Sequence, residues 1–232
     1  MRKIFKGLAA ALVLVVVLTV LGVGVDGWRL YRNAVEQTGI EQAVEQVRAQ
    51  EGYTPLDQLP ALYPQAVVAV EDRRFYDHNG VDPIAIARAV WVNLRTGSLA
   101  EGGSTLTQQL AKNLYFTQEK KFTRKVAEVF TAWDLERRYT KDEILELYIN
   151  SIYYGEGCYG IYSASRGYFG KDPAEMTDYE CTLLAGVPNA PSVYAPTVNP
   201  DLAAQRQRQV VDSLVDTGCI TEQQAQEILA GE

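Results

Sequence analysis

The 232-residue sequence predicts a mainly α protein, one helical domain carried on an N-terminal transmembrane helix. Three observations predict it. The nineteen residues from Gly7 to Val25 contain Thr19 as their only polar side chain and follow Arg2, Lys3 and Lys6. Beyond them, apolar residues recur at three- and four-residue spacing between helix-capping signals. Alternating, strand-like patterns are scarce, and no repeat or Pro/Gly/Ser linker divides the remainder.

The apolar run comes first. At ~1.5 Å per residue it spans roughly 28 Å, close to the ~30 Å hydrocarbon core. The basic residues ahead of it keep the N-terminus in the cytoplasm and place everything after Asp26 outside. Gly22-Val23-Gly24 would also suit a cleaved signal peptide, but the run exceeds the ~7–15 apolar residues of such a leader. Residues 1–25 are therefore a cytoplasmic stub and signal-anchor, 26–52 a connecting helix, and 53–232 one domain of the cytoplasmic membrane's outer side. Within it, Asp82-Pro83 gives an N-cap and a proline at N1, and the helix stops at Thr96-Gly97. Ser104 or Thr105 can cap the next. Glu119 to Tyr139 sets Phe122, Val126, Val129, Phe130 and Trp133 on one face. Thr140-x-x-Glu143 and Thr177-x-x-Glu180 are capping boxes. Asn199-Pro200 starts a long polar helix ending at Gly218, and Thr221 caps a last short one.

Composition excludes several functions. Lys and Arg number 22 against 29 Asp and Glu, so the chain is no general nucleic-acid binder. One histidine, His78, rules out a His-rich metal site, and three cysteines do not make a disulfide framework. Without residues 1–25 the balance is 19 basic against 29 acidic, or −10. An anionic ligand would need locally concentrated positive charge.

Four stretches break the core-building pattern. In Glu71 to Gly80, an apolar run delivers a carboxylate that a cleft would turn into a general base; a solvated Glu-Asp-Arg-Arg turn is the other possibility. In Glu101 to Asn113, Gly102-Gly103 precede hydroxyls, amides and a helix N-terminus suited to phosphate or sugar, with Lys112 two turns on; a flexible loop with a polar cap fits equally. Lys120, Lys121, Arg124 and Lys125 put four positive charges in six residues, with Glu128 one turn after Arg124. That is either an ion-paired surface or a diphosphate clamp. Ile144 to Lys171 is rich in tyrosine and glycine, as a sugar-stacking groove wall or a core edge would be.

Taken together, these stretches resemble the peptidoglycan glycosyltransferases, the lysozyme-like transglycosylase family of cell-wall synthases (glycosyltransferase family 51), from about Pro55 to Pro196. E-D-x-x-F-x-x-H-x-G is met by Glu71, Asp72, Phe75, His78 and Gly80. G-G-S-T-[IL]-T-Q-Q is met by Gly102 to Gln109, and R-K-x-x-E by Arg124, Lys125 and Glu128. I-L-E-x-Y-x-N continues through Ile144, Leu145, Glu146, Tyr148 and Asn150 to Tyr168, Phe169 and Lys171. L-L-A-G-x-P-x-x-P is met by Leu183 to Pro191. Ile149, Cys158, Asn189 and Ala195 depart from the common pattern without removing an ionisable group.

The resemblance implies a lysozyme-like bilobal fold and polymerisation of lipid II on a growing lipid-linked glycan. It implies Glu71 as general base, Glu128 as second catalytic glutamate, and Lys112, Arg124 and Lys125 as diphosphate-binding groups. Ser104, Thr105, Gln108, Gln109 and Asn150 are implied to contact substrate or order loops, while Asp72, Phe75, His78, Gly80, Gly102 and Gly103 shape the site. The resemblance leaves a divalent cation (Mg or Mn) open, and no ligand cluster in the sequence dictates one. Partners would be the membrane, transpeptidases and other cell-wall synthesis proteins, and no nucleic acid. Ser-x-x-Lys and Lys-Thr-Gly are absent, implying a monofunctional enzyme without transpeptidase activity. The segment Ala89, Val90, Trp91, Val92, Leu94 and Leu99 could dip into the bilayer or belong to a core helix.

Overall fold

The computed structural model describes residues 2–97, 102–116 and 122–231. Leu99, Glu101, Glu119, Lys120 and Lys121 lie outside the described residues. The chain forms α1 (Arg2–Gln37), α2 (Ile40–Arg48), α3 (Leu62–Glu71), α4 (Pro83–Thr96), α5 (Leu106–Tyr115), α6 (Phe122–Arg138) and α7 (Lys141–Ser151). It continues through α8 (Gly160–Phe169), α9 (Asp178–Gly186), α10 (Pro191–Tyr194), α11 (Pro200–Asp216) and α12 (Glu222–Ala230). Among the described residues there is no strand, only one isolated bridge between Tyr153 and Tyr159. The mainly α expectation holds.

Local chemistry sets the helix ends. The Asp82 carboxylate accepts from the Ile84 N–H, and Gly97, at φ 65°, ends α4 in the left-handed conformation. Thr105, Thr140, Thr177 and Thr221 each close a reciprocal capping box, with Gln108, Glu143, Glu180 and Gln224. The chain from Asp26 onward is not one helix. α1 runs unbroken to Gln37, and α2 follows after Thr38 and Gly39. Ile40, Val44 and Val47 of α2 enter the domain core.

Two helix groups make the body. α3, α9 and α11 pack on one another; α5 packs between α6 and α7. Tyr63, Phe75, Leu106, Leu135, Tyr148 and Leu184 are fully buried between them. Each such side chain stabilises the fold by roughly 1.5–3 kcal/mol. The Tyr63 and Tyr154 hydroxyls, both buried, satisfy each other at 2.6 Å.

The stretch Ala11–Gln37 of α1 is long and apolar enough to cross a membrane, and its large side chains from Leu12 to Leu21 are exposed. Its polar end lies along α6. The expected apolar stripe of α6 therefore does not face the domain core. Val126 and Phe130 pack on α1, whereas Phe122 and Trp133 are exposed. The core face is instead Ala127, Glu128, Thr131, Ala132 and Leu135. On α4, only Ala89 is buried; Val90, Trp91 and Leu94 point outward.

The tyrosine-rich stretch is a core edge. Tyr148 and Tyr154 are buried, and Tyr153 stacks on Tyr159 at 4.8 Å. Asn150 lies in the same region. Its Oδ1 accepts from the Thr54 N–H at 2.8 Å, and its Nδ2 donates to the Thr54 carbonyl at 2.8 Å and the Glu146 carbonyl at 2.9 Å. It fastens the chain after α2 onto α7. Asn150→Ala leaves two Thr54 backbone groups unpaired in a buried place, at a cost of about 2–3 kcal/mol. The thermal midpoint should drop by roughly 4–12 °C. A midpoint within a degree of the parent would show that Asn150 holds nothing.

Candidate active site

The geometry of the candidate site begins where α3 stops. Asp72 leaves helical geometry at φ −155°, ψ 75°. Its carboxylate accepts from the Leu106 N–H at 3.0 Å and from His78 Nε2 at 2.9 Å. Leu106 is the first residue of α5, so Asp72 occupies the positive end of that helix. The Gln108 N–H is likewise filled by Thr105 Oγ1 at 3.1 Å. The start of α5, read above as a phosphate site, is thus partly occupied by the chain's own groups. Thr105 Oγ1 also donates to the Gly80 carbonyl at 2.7 Å, and Gly80 has φ 80° with the Ala132 backbone 3.2 Å from where a Cβ would stand. Thr105, Gln108, Asp72, His78 and Gly80 form one buried lattice under the site, with Phe75 fully buried beside it.

With Asp72 pinned, Glu71 turns the other way, into a cleft of about 590 Å³. The cleft is walled by the end of α3, the start of α4, residues 102–105, α5, Pro188 and Asn189, and α11. Glu71 Oε2 accepts from Gln109 Nε2 at 2.9 Å, and Oε1 accepts from Arg206 Nη2 at 3.2 Å. Gln109 is oriented from behind, because the buried Tyr148 hydroxyl donates to its Oε1 at 3.3 Å. Burial raises the Tyr148 pKa well above its ordinary value, with the Glu71 charge adding to it, so the hydroxyl keeps its proton. The Glu71 side chain is only 7% exposed.

Behind the cleft wall, against Ser104, stands a cationic cluster. Lys125 Nζ donates to Glu128 Oε2 at 2.9 Å and to Ser104 Oγ at 2.6 Å, while Arg124 bonds the other Glu128 oxygen. Glu128 is buried behind these groups; Ser104 is on the cleft wall. Lys112 is on the wall too. Burial lowers its pKa; the Glu128 and Glu71 charges oppose that, and Arg124 and Lys125 add to it. Lys112 is therefore within electrostatic reach of both glutamates.

The structure brings Glu71, Asp72, Gly102, Gly103, Ser104, Thr105, Gln109 and Lys112 to the cleft. Arg124, Lys125 and Glu128 lie just behind it, and Asn150 does not line it. Four arginines of the wall went unassigned from the sequence: Arg73, Arg74, Arg88 and Arg206. Arg73 and Arg74 sit in the expected turn, but their pairing with Asp216 and Asp82 depends on the fold. Arg206 lies in a polar helix with no pattern to mark it. Its signal was on another helix, at Gly186, where a Cβ would meet Arg206 Cγ at 2.9 Å.

Five basic and three acidic residues thus line the cleft of an acidic chain. Its carboxylates do not fit a resident divalent cation. Glu71, Asp72 and Asp82 are each committed to protein donors, and the described residues contain no group of three His, Cys, Asp or Glu able to hold one.

Residues 37–215 match the family model described as Transglycosylase. The chain is 46% identical over 180 residues to "Penicillin-binding protein 1A" of Neisseria flavescens, covering 78% of this chain and 23% of that protein. It is 42% identical over 191 residues to "Penicillin-binding protein 1F" of Bacillus subtilis (strain 168), covering 82% and 27%. Among solved structures, Penicillin-Binding Protein 1A from Haemophilus influenzae matches at 28% identity and a TM-score of 0.37, over 53% of this chain and 15% of that one. The chain spans about a quarter of the length of these curated relatives. A glutamate-bearing basic cleft and a family match over most of the residues agree: the chain belongs to the transglycosylase family.

Proposed function

We propose that the chain polymerises lipid II into peptidoglycan glycan strands by inverting glycosyl transfer, releasing undecaprenyl diphosphate. The observation that carries this is a cleft with Glu71 and Lys112 on its wall and the Arg124, Lys125 and Glu128 cluster bonded to Ser104 behind that wall. Glu71 takes the proton from the acceptor sugar's 4-hydroxyl. That oxygen bonds to the donor's anomeric carbon, the bond from that carbon to the diphosphate oxygen breaks, and the electron pair leaves with the diphosphate. Preorganised positive charge where the negative charge develops is the largest expected contribution to rate. An anionic leaving group needs no acid, which suits Glu128's commitment to two cations. Gln109 and Arg206 hold Glu71 in place.

The α1 helix would anchor the domain at the membrane carrying both lipid substrates, raising their effective concentration. The outward Val90, Trp91 and Leu94 of α4 would add a lipid contact. Transpeptidases would then act on the strands.

Glu71→Gln keeps the side chain's size and the hydrogen bond from Arg206, removes the base, and sets its amide N–H against that of Gln109. Polymerisation of purified lipid II should fall about 10²–10⁴-fold, with circular dichroism and membrane fractionation unchanged. Undiminished polymer growth, or shortening of finished strands by the parent chain, would reject the assignment. Lys112 gives a second expectation. Its protonated form binds diphosphate, and its pKa in the free protein lies below the ordinary 10.5. kcat/KM should therefore decline on the alkaline side below pH 10.5, as the ammonium loses its proton. Lys112→Arg, which stays charged, should move that decline upward. An identical alkaline limb in the variant would remove Lys112 from this role.

A further inference from the structure

The packing of α1 on α6 sets a depth. Gly27 is buried, and a Cβ there would meet Val126 Cβ at 2.5 Å, Val126 Cγ1 at 2.6 Å and the Thr123 carbonyl at 2.9 Å. One turn later Tyr31 stacks on Phe130 at 5.9 Å, and its hydroxyl donates to Asp134 Oδ2 at 2.9 Å. Thr38, beyond the end of α1, accepts from the Tyr115 hydroxyl at 3.1 Å. The two helices therefore run parallel in fixed register, Gly27 against Val126 and Tyr31 against Phe130. Nothing larger than hydrogen fits at Gly27 without moving α6, and Asp134, held also by Arg138, locks the second point.

Carried back by half a turn, the same register puts Arg124 and Lys125 level with Val25 and Asp26. Val25 ends the apolar run and Asp26 is the first charge after it. The hydrocarbon boundary must fall there, because charges are expelled from the apolar layer. Phe122, 86% exposed at the start of α6, falls on the apolar side of that level. Trp28, 48% exposed with Arg32 over its ring at 5.7 Å, falls on the headgroup side, where such aromatics concentrate.

We propose, resting on the anchor and diphosphate roles above, that α1 is a depth gauge. Through Gly27 and Tyr31 it fixes the Arg124–Lys125 turn of α6 in the phosphate layer of the membrane, the height at which the diphosphate of a lipid-linked substrate lies. Gly27 and Tyr31 are positioning residues in this scheme. The substrate then meets its cationic partners without being drawn out of the bilayer. Phe122 is the apolar float on the same turn.

The test uses the full chain in phospholipid vesicles. Cys219→Ser removes the exposed thiol, Cys158 and Cys181 being buried, and a nitroxide is placed at Phe122→Cys. Relative quenching by oxygen and by a nickel chelate should put the label within ~5–10 Å of the headgroup–acyl boundary. A second variant inserts Ala-Gln-Ala-Gln after Val25, adding about one helical turn, ~6 Å. The label should move outward by a similar distance. Lipid II polymerisation in vesicles should then fall about tenfold or more, since ångström misplacement of a reactive centre is costly, while the rate in detergent micelles, which impose no plane, stays near the parent's. A parent label in bulk water, a label that does not move, or equal rate changes in vesicles and micelles would overturn the gauge. A parent that polymerises nothing in either medium fails the transferase role instead, and the label depth still decides the gauge.

Discussion

The site depends on the carboxylate of Asp72. It is buried, and it is satisfied by one backbone N–H at the start of α5 and by the imidazole of His78. Removing one partner from such a buried charge costs about 3–5 kcal/mol. That interaction joins the end of α3 to the beginning of α5 and leaves Glu71 only one direction to face. The motif's adjacent acidic residues have opposite fates. One is consumed in holding two helices together, and its neighbour is thereby presented to the cleft.

The charge distribution follows from the same economy. The chain is net −7, yet the cleft wall carries five basic residues. Three of them are held by carboxylates, Arg73 by Asp216, Arg74 by Asp82 and Arg206 by Glu71, and Lys125 behind the wall is held by Glu128. Such anchored cations need little reorganisation when negative charge develops nearby, which makes them worth more than the same groups in water.

Much of this was legible in the sequence. The helix ends were, because a threonine and a glutamate or glutamine three residues apart satisfy each other locally: the two boxes read from the sequence formed, and Thr105 and Thr221, read only as caps, closed two more. Glu71, Gln109 and Lys112 were found through motifs that keep chemical groups at set spacing. The failures share a physical cause: they concern what packs against what across long separations. Periodicity put the apolar residues of α6 on one face, but it shows only that a face is covered, not by which helix. The N-terminus of α5 looked open to phosphate because Asp72 approaches from 34 residues away. Arg206 was silent because its partner is 135 residues distant.

That last distance bears on the order in which the cleft is assembled. The chain is made from its N-terminus, and Glu71 emerges long before the guanidinium that will clasp it. At ~5–20 residues per second the lag is roughly 7–27 s. During that interval every motif up to the basic turn of α6 has been synthesised while α11 is missing, so the carboxylate has no guanidinium. The clasp on Glu71 therefore closes only once α11 has been made, after α1 to α10 that precede it.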